Sequence, residues 1–446
     1  VNFPVLNGPS AVDGEVEAAL SIGVLGGGQL ALMMAREAEK LGLALHLQTP
    51  NPNDPATRLA SSVVLADLND ARATRDLAGR AARIGFENEW VSIADLERLE
   101  QEGITFLPPL SALAPLLDKR SQRQLLNQLH LPTPHWVGME ACLPPAPALS
   151  GQAEGEVYAP LSSTFHTSSL GLAPAMEQAA PQGPRLPDGL AFPVIAKASR
   201  GGYDGKGTRL LANLEQLENH LETHDPEAWI LEELVLFEME LAQVVCRDGT
   251  GAVRCFPLVQ THQRNQVCDW VLYPAPVSHA VEAFARNVAM SLVTSLNYVG
   301  VMGIEFFYGP GGLLVNEIAP RVHNSGHLTL EACATNQFAQ QVRILAGLPM
   351  GPTDPSVNGA LMINLLGYAD PDTPDAQANH LAQRQALEAM PGAHLHWYGK
   401  SSRKGRKLGH ITFVLDAKDS RQLEGERERR LSAVRAIWPW AEPTAP

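Results

Sequence analysis

Basic charge is in short supply. Lys and Arg number 34 against 48 Asp and Glu, a formal charge of −14 over 446 residues. Such a chain has no global positive field with which to gather nucleic acid or to settle on an anionic membrane. Cysteine is scarce as well. Cys142, Cys246, Cys255, Cys268 and Cys333 form no CxxC pair and no zinc spacing. The odd count favours reduced thiols, as in a cytoplasm, over a disulfide framework. No apolar run is long enough to span a bilayer, and there is no internal repeat. The first residues carry Asp13, Glu15 and Glu17 rather than the basic n-region of a signal peptide. Residues 1–20 read as a poorly ordered lead-in. A hydrophobic content of 45% fits a soluble globular chain, and the length allows two to four domains with large cores.

The densest chemistry lies in Val301 to His327, VMGIEFFYGPGGLLVNEIAPRVHNSGH. Two β-rich apolar runs flank a Gly/Pro turn, the pattern of a hairpin. Each strand carries a carboxylate, Glu305 and Glu317, into apolar surroundings where an isolated charge is costly. A five-residue loop, 309–313, sets Glu305 opposite Glu317, whereas a four-residue loop sets it opposite Asn316. Side chains alternate faces, so one residue decides the matter. Facing carboxylates repel unless a cation lies between them. Hard oxygen donors suit Mg²⁺, with Mn²⁺ as an alternative, in a site of one or two carboxylates plus substrate phosphates. The bland reading is a strand pair with solvated acids. Arg321, His323, Asn324 and His327 crowd the hairpin's exit and favour the metal.

Upstream, Ala19–Val24 reads as a strand, Leu30–Leu41 as a helix and Leu43–Gln48 as a second strand. Between the first two stands Gly26-x-Gly28-x-x-Ala31, a βαβ turn that offers backbone N–H groups to an anion. The second strand ends in Leu47-Gln48-Thr49-Pro50, without the acid that an NAD ribose needs. Alternating elements continue through Phe86-Glu87-Asn88-Glu89 to about Leu117. A second region opens at Asp118-Lys119 with the amphipathic helix Ser121–Leu129.

Residues 143–189 are rich in Pro, Ala, Gly and Ser and read as a flexible insertion. Order resumes with the strand Phe192–Lys197. Then comes a loop with four glycines in seven residues, Gly201, Gly202, Gly205 and Gly207, and with Lys206 inside it. Such a loop can fold its N–H groups over phosphate oxygens. The Walker order GxxxxGK[ST] is absent, and a strand, Arg209–Leu211, follows in place of a helix. Trp229–Val235 is an apolar run with the acid pair Glu232-Glu233, either a nucleotide pocket or a solvated strand end. Near the C-terminus, KSSRKGRK (residues 400–407) is a basic turn between apolar segments. It suits one ribonucleotide phosphate better than a polymer. The charged helix Arg421–Ile437 reads as structural.

In this order the Gly-rich loop, the Glu-Glu strand and the acidic hairpin resemble an ATP-grasp fold, an α/β architecture, preceded by a Rossmann-like (pre-ATP-grasp) α/β domain. GVLGGGQLALM, LDKRSQRQLLNQLHLPTP, GGYDGKG, NYVGVMGIEFF, NEIAPRVHNSGH and HLHWYGKSSRKGRKLGHI together resemble the N5-carboxyaminoimidazole ribonucleotide synthetase family from about Ser21 to Phe413. The resemblance implies an N-terminal domain at 21–118, a lid domain at 119–239, and a C-terminal domain at 240–446 with a terminal cap from about 360. The stretch 143–189 is longer than the family's short link. Where the family often has a histidine, Gln263 stands, with His262 beside it.

The resemblance further implies ATP between the middle and C-terminal regions. Lys119 and Lys197 would meet its phosphates, with Gly202, Tyr203, Asp204, Gly205, Lys206, Gly207 and Thr208 closing over them. Glu232, Glu233, Leu234, Val235, Glu240 and Gln263 would surround adenine and ribose. Asn316 would sit beside a metal held by Glu305 and Glu317. Arg321, with His323 and Asn324, would hold bicarbonate, and the Tyr203-Asp204 loop would exclude water. Gly27, Gln29, Glu87, Lys400, Arg403, Arg406 and Lys407 would bind the ribonucleotide. The implied reaction is ATP- and bicarbonate-dependent carboxylation of 5-aminoimidazole ribonucleotide through carboxyphosphate, in purine biosynthesis, by a cytoplasmic homodimer. Alternatives are another ATP-grasp purine ligase or formate-using transformylase, and an NAD-binding oxidoreductase built on Gly26–Ala31.

Overall fold

The computed structural model describes residues 21–144, 183–201 and 207–440. Three sheets organise them. The first is parallel, with Ser21–Leu25 between Ala44–Thr49 and Arg83–Phe86, and Ser62–Leu65 outermost. Ser21–Leu25 is buried at every position, as a strand covered on both faces must be. The helix Gln29–Lys40 follows it and buries Leu30 through Ala35 together with Ala38, more than a one-sided stripe. The reason is a second cover: helix Gln337–Ala346 packs on it and on the sheet, joining the N-terminal and C-terminal regions in one core.

The second sheet is small and antiparallel, in the order Trp136–Gly138, Trp229–Glu233, Val194–Ala198, Thr208–Leu211. The expected insertion extends over less of the chain than its composition indicates. Residues 145–182 lie outside the described region, but Leu186 and Leu190 pack on this sheet's core and Arg185 N–H donates to the Cys142 carbonyl at 3.0 Å. Apolar residues at a spacing too irregular to read as an element are still enough to dock a loop.

The third sheet has nine strands. Along its main path run Gly312–Ala319, Gly300–Gly309, Met239–Arg247, Val259–Arg264, Val267–Tyr273, Gly359–Leu366, Lys407–Leu415 and Ala393–Trp397, and Val253–Cys255 pairs with Met239–Arg247. The segment expected as a cap from about 360 is therefore continuous with this sheet by hydrogen bonding.

The acidic hairpin takes the first expected register by a different route. Gly309 pairs with Gly312, so the turn is only Pro310-Gly311 rather than five residues, and Gly312 has φ 89°. That turn alone would set Glu305 opposite Asn316. A one-residue bulge intervenes: Phe306 pairs with Val315 but Glu305 pairs with Glu317, which leaves Asn316 as the extra residue. A bulge frees ladder groups and bends the strand. Arg123 Nη2 takes the Asn316 carbonyl at 2.6 Å, and Gln122 bonds both the carbonyl and the N–H of Ile318. Helix Lys119–Gln128 thus covers an edge strand that would otherwise be open.

Candidate active site

One cavity of ≈ 1540 Å³ reaches all three sheets. Its walls are the Gly26–Leu30 turn, the ends of the lid strands, the acidic hairpin with its exit, and the basic turn 403–407. Residues 202–206 (Gly202, Tyr203, Asp204, Gly205 and Lys206) lie outside the described region. Gly207, at φ 77°, and Thr208 are described and anchor the loop's far end, the Gly207 carbonyl accepting from Ala198 at 2.8 Å.

The bulge turns both Asn316 and Glu317 towards this cavity. Lys197 Nζ donates to Asn316 Oδ1 at 3.0 Å, and Lys119 Nζ lies 3.7 Å from Glu317 Oε1. Burial, and then the charge of Glu317, push the Glu305 carboxyl above its ordinary range. Burial acts the same way on Glu317, but Lys119, His323 and Lys197 outweigh it and hold that carboxyl low. His323 Nε2 stands 3.6 Å from Glu305 Oε1. Two facing carboxylates of unequal basicity and an amide oxygen make a hard-oxygen donor set, with Lys119 and Lys197 beside it. It fits Mg²⁺ shared with substrate phosphates.

Several expected site residues have charged partners within the protein. Glu232 borders the cavity with its carboxylate already paired. Its side chain is 2% exposed and lies between Arg123 Nε at 2.7 Å and Lys197 Nζ at 2.6 Å. Burial raises its carboxyl, but the two cations prevail and bring it to about 2. Glu233 Oε1 accepts the His135 N–H at 2.7 Å, so this carboxylate too is engaged by the protein. Leu234 and Val235 line the cavity. Glu240 also lines it, its carboxyl pushed up to about 7 by burial against an opposing Gln263 backbone hydrogen bond. His262 stacks on Trp270 at 5.0 Å.

The glycine turn has a partner within the protein. Its N–H groups already hold an anion, the Glu87 carboxylate, at 2.6 Å from Gly28 N and 3.1 Å from Leu30 N. A Cβ at Gly26 or Gly28 would meet the Glu87 carboxylate at 2.5 or 2.4 Å, which accounts for both glycines. Glu87 thus takes the Gly28 and Leu30 donors that a pyrophosphate would use, which counts against the oxidoreductase reading. Gln29 instead meets the basic turn, its Oε1 accepting from Lys400 Nζ at 2.7 Å.

Arg321 enters the cavity paired with Glu89, Nε to Oε2 at 2.9 Å, and bonds the Val322 carbonyl. Asn324 exchanges two hydrogen bonds with Asn364 at 3.1 and 2.8 Å. Arg406 donates to the Ser401 carbonyl and hydroxyl, shaping the basic turn. Lys407 lines the same cavity as Glu305, and its charge opposes the rise of that carboxyl. Arg123, Glu89 and Asn364 were not singled out from the sequence. Only Arg123 left a signal there: it lies one turn beyond Lys119 on the same helix face.

A lid sheet, a larger sheet carrying an acidic hairpin, and lysines converging from both on one cavity define a nucleotide-dependent ligase of the ATP-grasp class. Residues 175–338 match the ATP-grasp domain family, and residues 20–115 match the ribonucleotide synthetase preATP-grasp domain. Residues 360–423 match the phosphoribosylaminoimidazole carboxylase C-terminal domain. An N5-carboxyaminoimidazole ribonucleotide synthase of Synechococcus elongatus is 44% identical over 419 residues, covering 94% of this chain and 95% of the relative. The Aspergillus clavatus carboxyaminoimidazole ribonucleotide synthase crystallised with ATP superposes with a TM-score of 0.76 at 26% identity, covering 94% and 100% of the two chains. The same fungal enzyme with ADP and 5-aminoimidazole ribonucleotide gives 0.75 at 26% identity, with the same coverage. This chain belongs to the N5-carboxyaminoimidazole ribonucleotide synthase family.

Proposed function

We propose that the chain carboxylates 5-aminoimidazole ribonucleotide to N5-carboxyaminoimidazole ribonucleotide, using ATP and bicarbonate and releasing ADP and phosphate. The observation that carries the reading is one cavity lined together by the Lys119/Lys197 pair, by Glu305, Glu317 and Arg321, and by Lys400 and residues 403–407 of the basic turn. Two phosphate-bearing substrates can thus be held with their reacting ends towards Arg321.

Lys119 and Lys197 bind and orient the ATP phosphates. Glu305, Glu317 and Asn316 would hold Mg²⁺, which when bound neutralises charge on the transferring phosphoryl group. Arg321, oriented by Glu89, receives bicarbonate and offsets the repulsion between two anions as the bicarbonate oxygen attacks the γ-phosphorus. ADP leaves, and carboxyphosphate releases CO₂ to the amine of the ribonucleotide. The departing phosphate takes the amine proton. His323 and Asn324, both held by neighbours, border the place where CO₂ is transferred. The loop 202–206, carrying Tyr203, Asp204 and Lys206, closes on the phosphates and keeps water from the intermediate. A homodimer working in the cytoplasm completes the reading. The five free thiols are in keeping with a reducing compartment.

The test is ADP release with ATP, Mg²⁺ and bicarbonate, with and without 5-aminoimidazole ribonucleotide. Strong stimulation by the ribonucleotide is expected. Equal turnover with formate replacing bicarbonate would overturn the assignment.

A further inference from the structure

Behind His323 lies a buried amide that does not line the cavity. Gln337 is 0% exposed at the start of helix Gln337–Ala346. Its Oε1 accepts the His323 N–H at 2.9 Å, and its Nε2 donates to the His323 carbonyl at 2.7 Å. One side chain therefore pairs with both backbone groups of one residue, as a neighbouring strand would. The same Nε2 stands 3.1 Å from Nδ1 of the buried His327. The Gln337 backbone N–H meets Thr329 Oγ1 at 3.1 Å, and that hydroxyl donates to the Gly326 carbonyl at 2.6 Å.

Two glycines make this clamp possible. A Cβ at Gly326 would lie 2.5 Å from Gln337 Oε1, and a Cβ at Gly303 would lie 2.5 Å from His323 Cβ. The first clears room for the amide, the second for the imidazole beside the Glu305 strand. With its backbone held and Nδ1 2.8 Å from Ser325 Oγ, the His323 ring presents Nε2 to Glu305 at 3.6 Å.

We propose that Gln337 is the positioning residue for His323: its amide fixes the ring against the hairpin, so that Nε2 points at the reacting end of the cavity. The proposal rests on the reading that His323 borders the transferred CO₂. It adds a residue outside the cavity on which that placement depends. Helix Gln337–Ala346 packs on the N-terminal helix Gln29–Lys40, so the clamp also ties the ring's aim to the seating of the N-terminal region.

Two readouts test it. In protein labelled with ¹⁵N-histidine, the His323 ring signals are identified by their loss in His323→Asn. Gln337→Ala is expected to shift those signals towards the average of two exchanging tautomers. Unchanged His323 signals would overturn the proposal, and this arm does not depend on the assigned reaction. In turnover, Gln337→Ala is expected to lower kcat by the order of 10²-fold, the scale of a misplaced reacting group, with the KM for ATP moving little. Gln337→Glu is nearly isosteric and serves where the alanine variant fails to fold. Its neutral acid can still donate to the His323 carbonyl, whereas its carboxylate cannot. Its kcat relative to wild type should therefore recover as pH falls. A Gln337→Glu profile parallel to wild type would overturn the proposal. A wild-type enzyme without ribonucleotide-stimulated ADP release would instead overturn the assigned function and leave the ring signals to judge the clamp.

Discussion

Arg123 and Glu232 meet at 2.7 Å with both side chains 2% exposed. The pair joins the helix over the hairpin edge to the lid sheet, and Lys197 closes the other side of the carboxylate. Breaking such a pair from one side strands a buried charge. Glu232→Gln should therefore lower unfolding stability by about 3–5 kcal/mol, read by urea denaturation at neutral pH. The folded carboxyl, at about 2, lies below its unfolded value, so its contribution is present above the unfolded pKa and fades as pH falls towards 2. The gap between wild type and mutant should narrow across that acid window. A gap that stays constant would mean the pair does not supply the stability.

At the facing acids, stability and activity should part company. Glu305→Gln and Glu317→Gln are each expected to lower turnover by at least ~100-fold, since each removes charge from the cation that assists phosphoryl transfer. Yet Glu305→Gln should not destabilise the metal-free protein. Its carboxyl is raised on folding, so its ionised form opposes the fold increasingly as pH rises above the unfolded value. Thermal midpoints without metal should be equal to or above wild type. Wild-type turnover at limiting Mg²⁺ would contradict the metal assignment.

The basic turn should separate into two kinds of cation. Arg403→Ala should raise the KM for 5-aminoimidazole ribonucleotide by about ten-fold, the loss of one charge-assisted hydrogen bond, and leave ATP saturation unchanged. Lys407→Ala should lower kcat in addition, because Lys407 also acts on Glu305. Lys197→Ala should show the mirror pattern, with weakened ATP. Normal ribonucleotide saturation in both basic-turn variants would place the phosphate elsewhere.

Residues 145–182 should be replaceable by a short Gly/Ser linker with activity kept within a few-fold, because their composition carries little apolar surface to bury. Extending the deletion to 190 should lower the yield of soluble protein, since Leu186 and Leu190 pack on the lid core. Activity lost in the shorter deletion would show that the segment serves the site.

The linear pattern was most legible where local chemistry acts alone. Apolar periodicity located the hairpin strands, the helix Gln29–Lys40 and the lid strands to within two residues or so at each end. The residue types of Glu305, Glu317, Lys119, Lys197 and the basic turn announced anion and cation chemistry before any contact was known. Side-chain destinations were not legible in the same way. Glu232 and Glu233 are adjacent acids on one strand, yet one is buried at 2% exposure between two cations and the other is on the surface. Only the arrival of Arg123 and Lys197 from other elements decides between them.

Residue identity and spacing therefore settled the architecture and the inventory of charges, because helix and strand periodicities are properties of neighbours in the chain. The pairing of those charges belonged to the assembled molecule. The bulge that brings Glu305 opposite Glu317, the Glu87 carboxylate that fills the glycine turn, and the Gln337 clamp on His323 all join residues far apart in sequence or shift a register by one. Each depends on which groups are deprived of water together. A buried polar atom must find whatever partner the packing supplies, and the packing exists only once the sheets and helices have closed on one another.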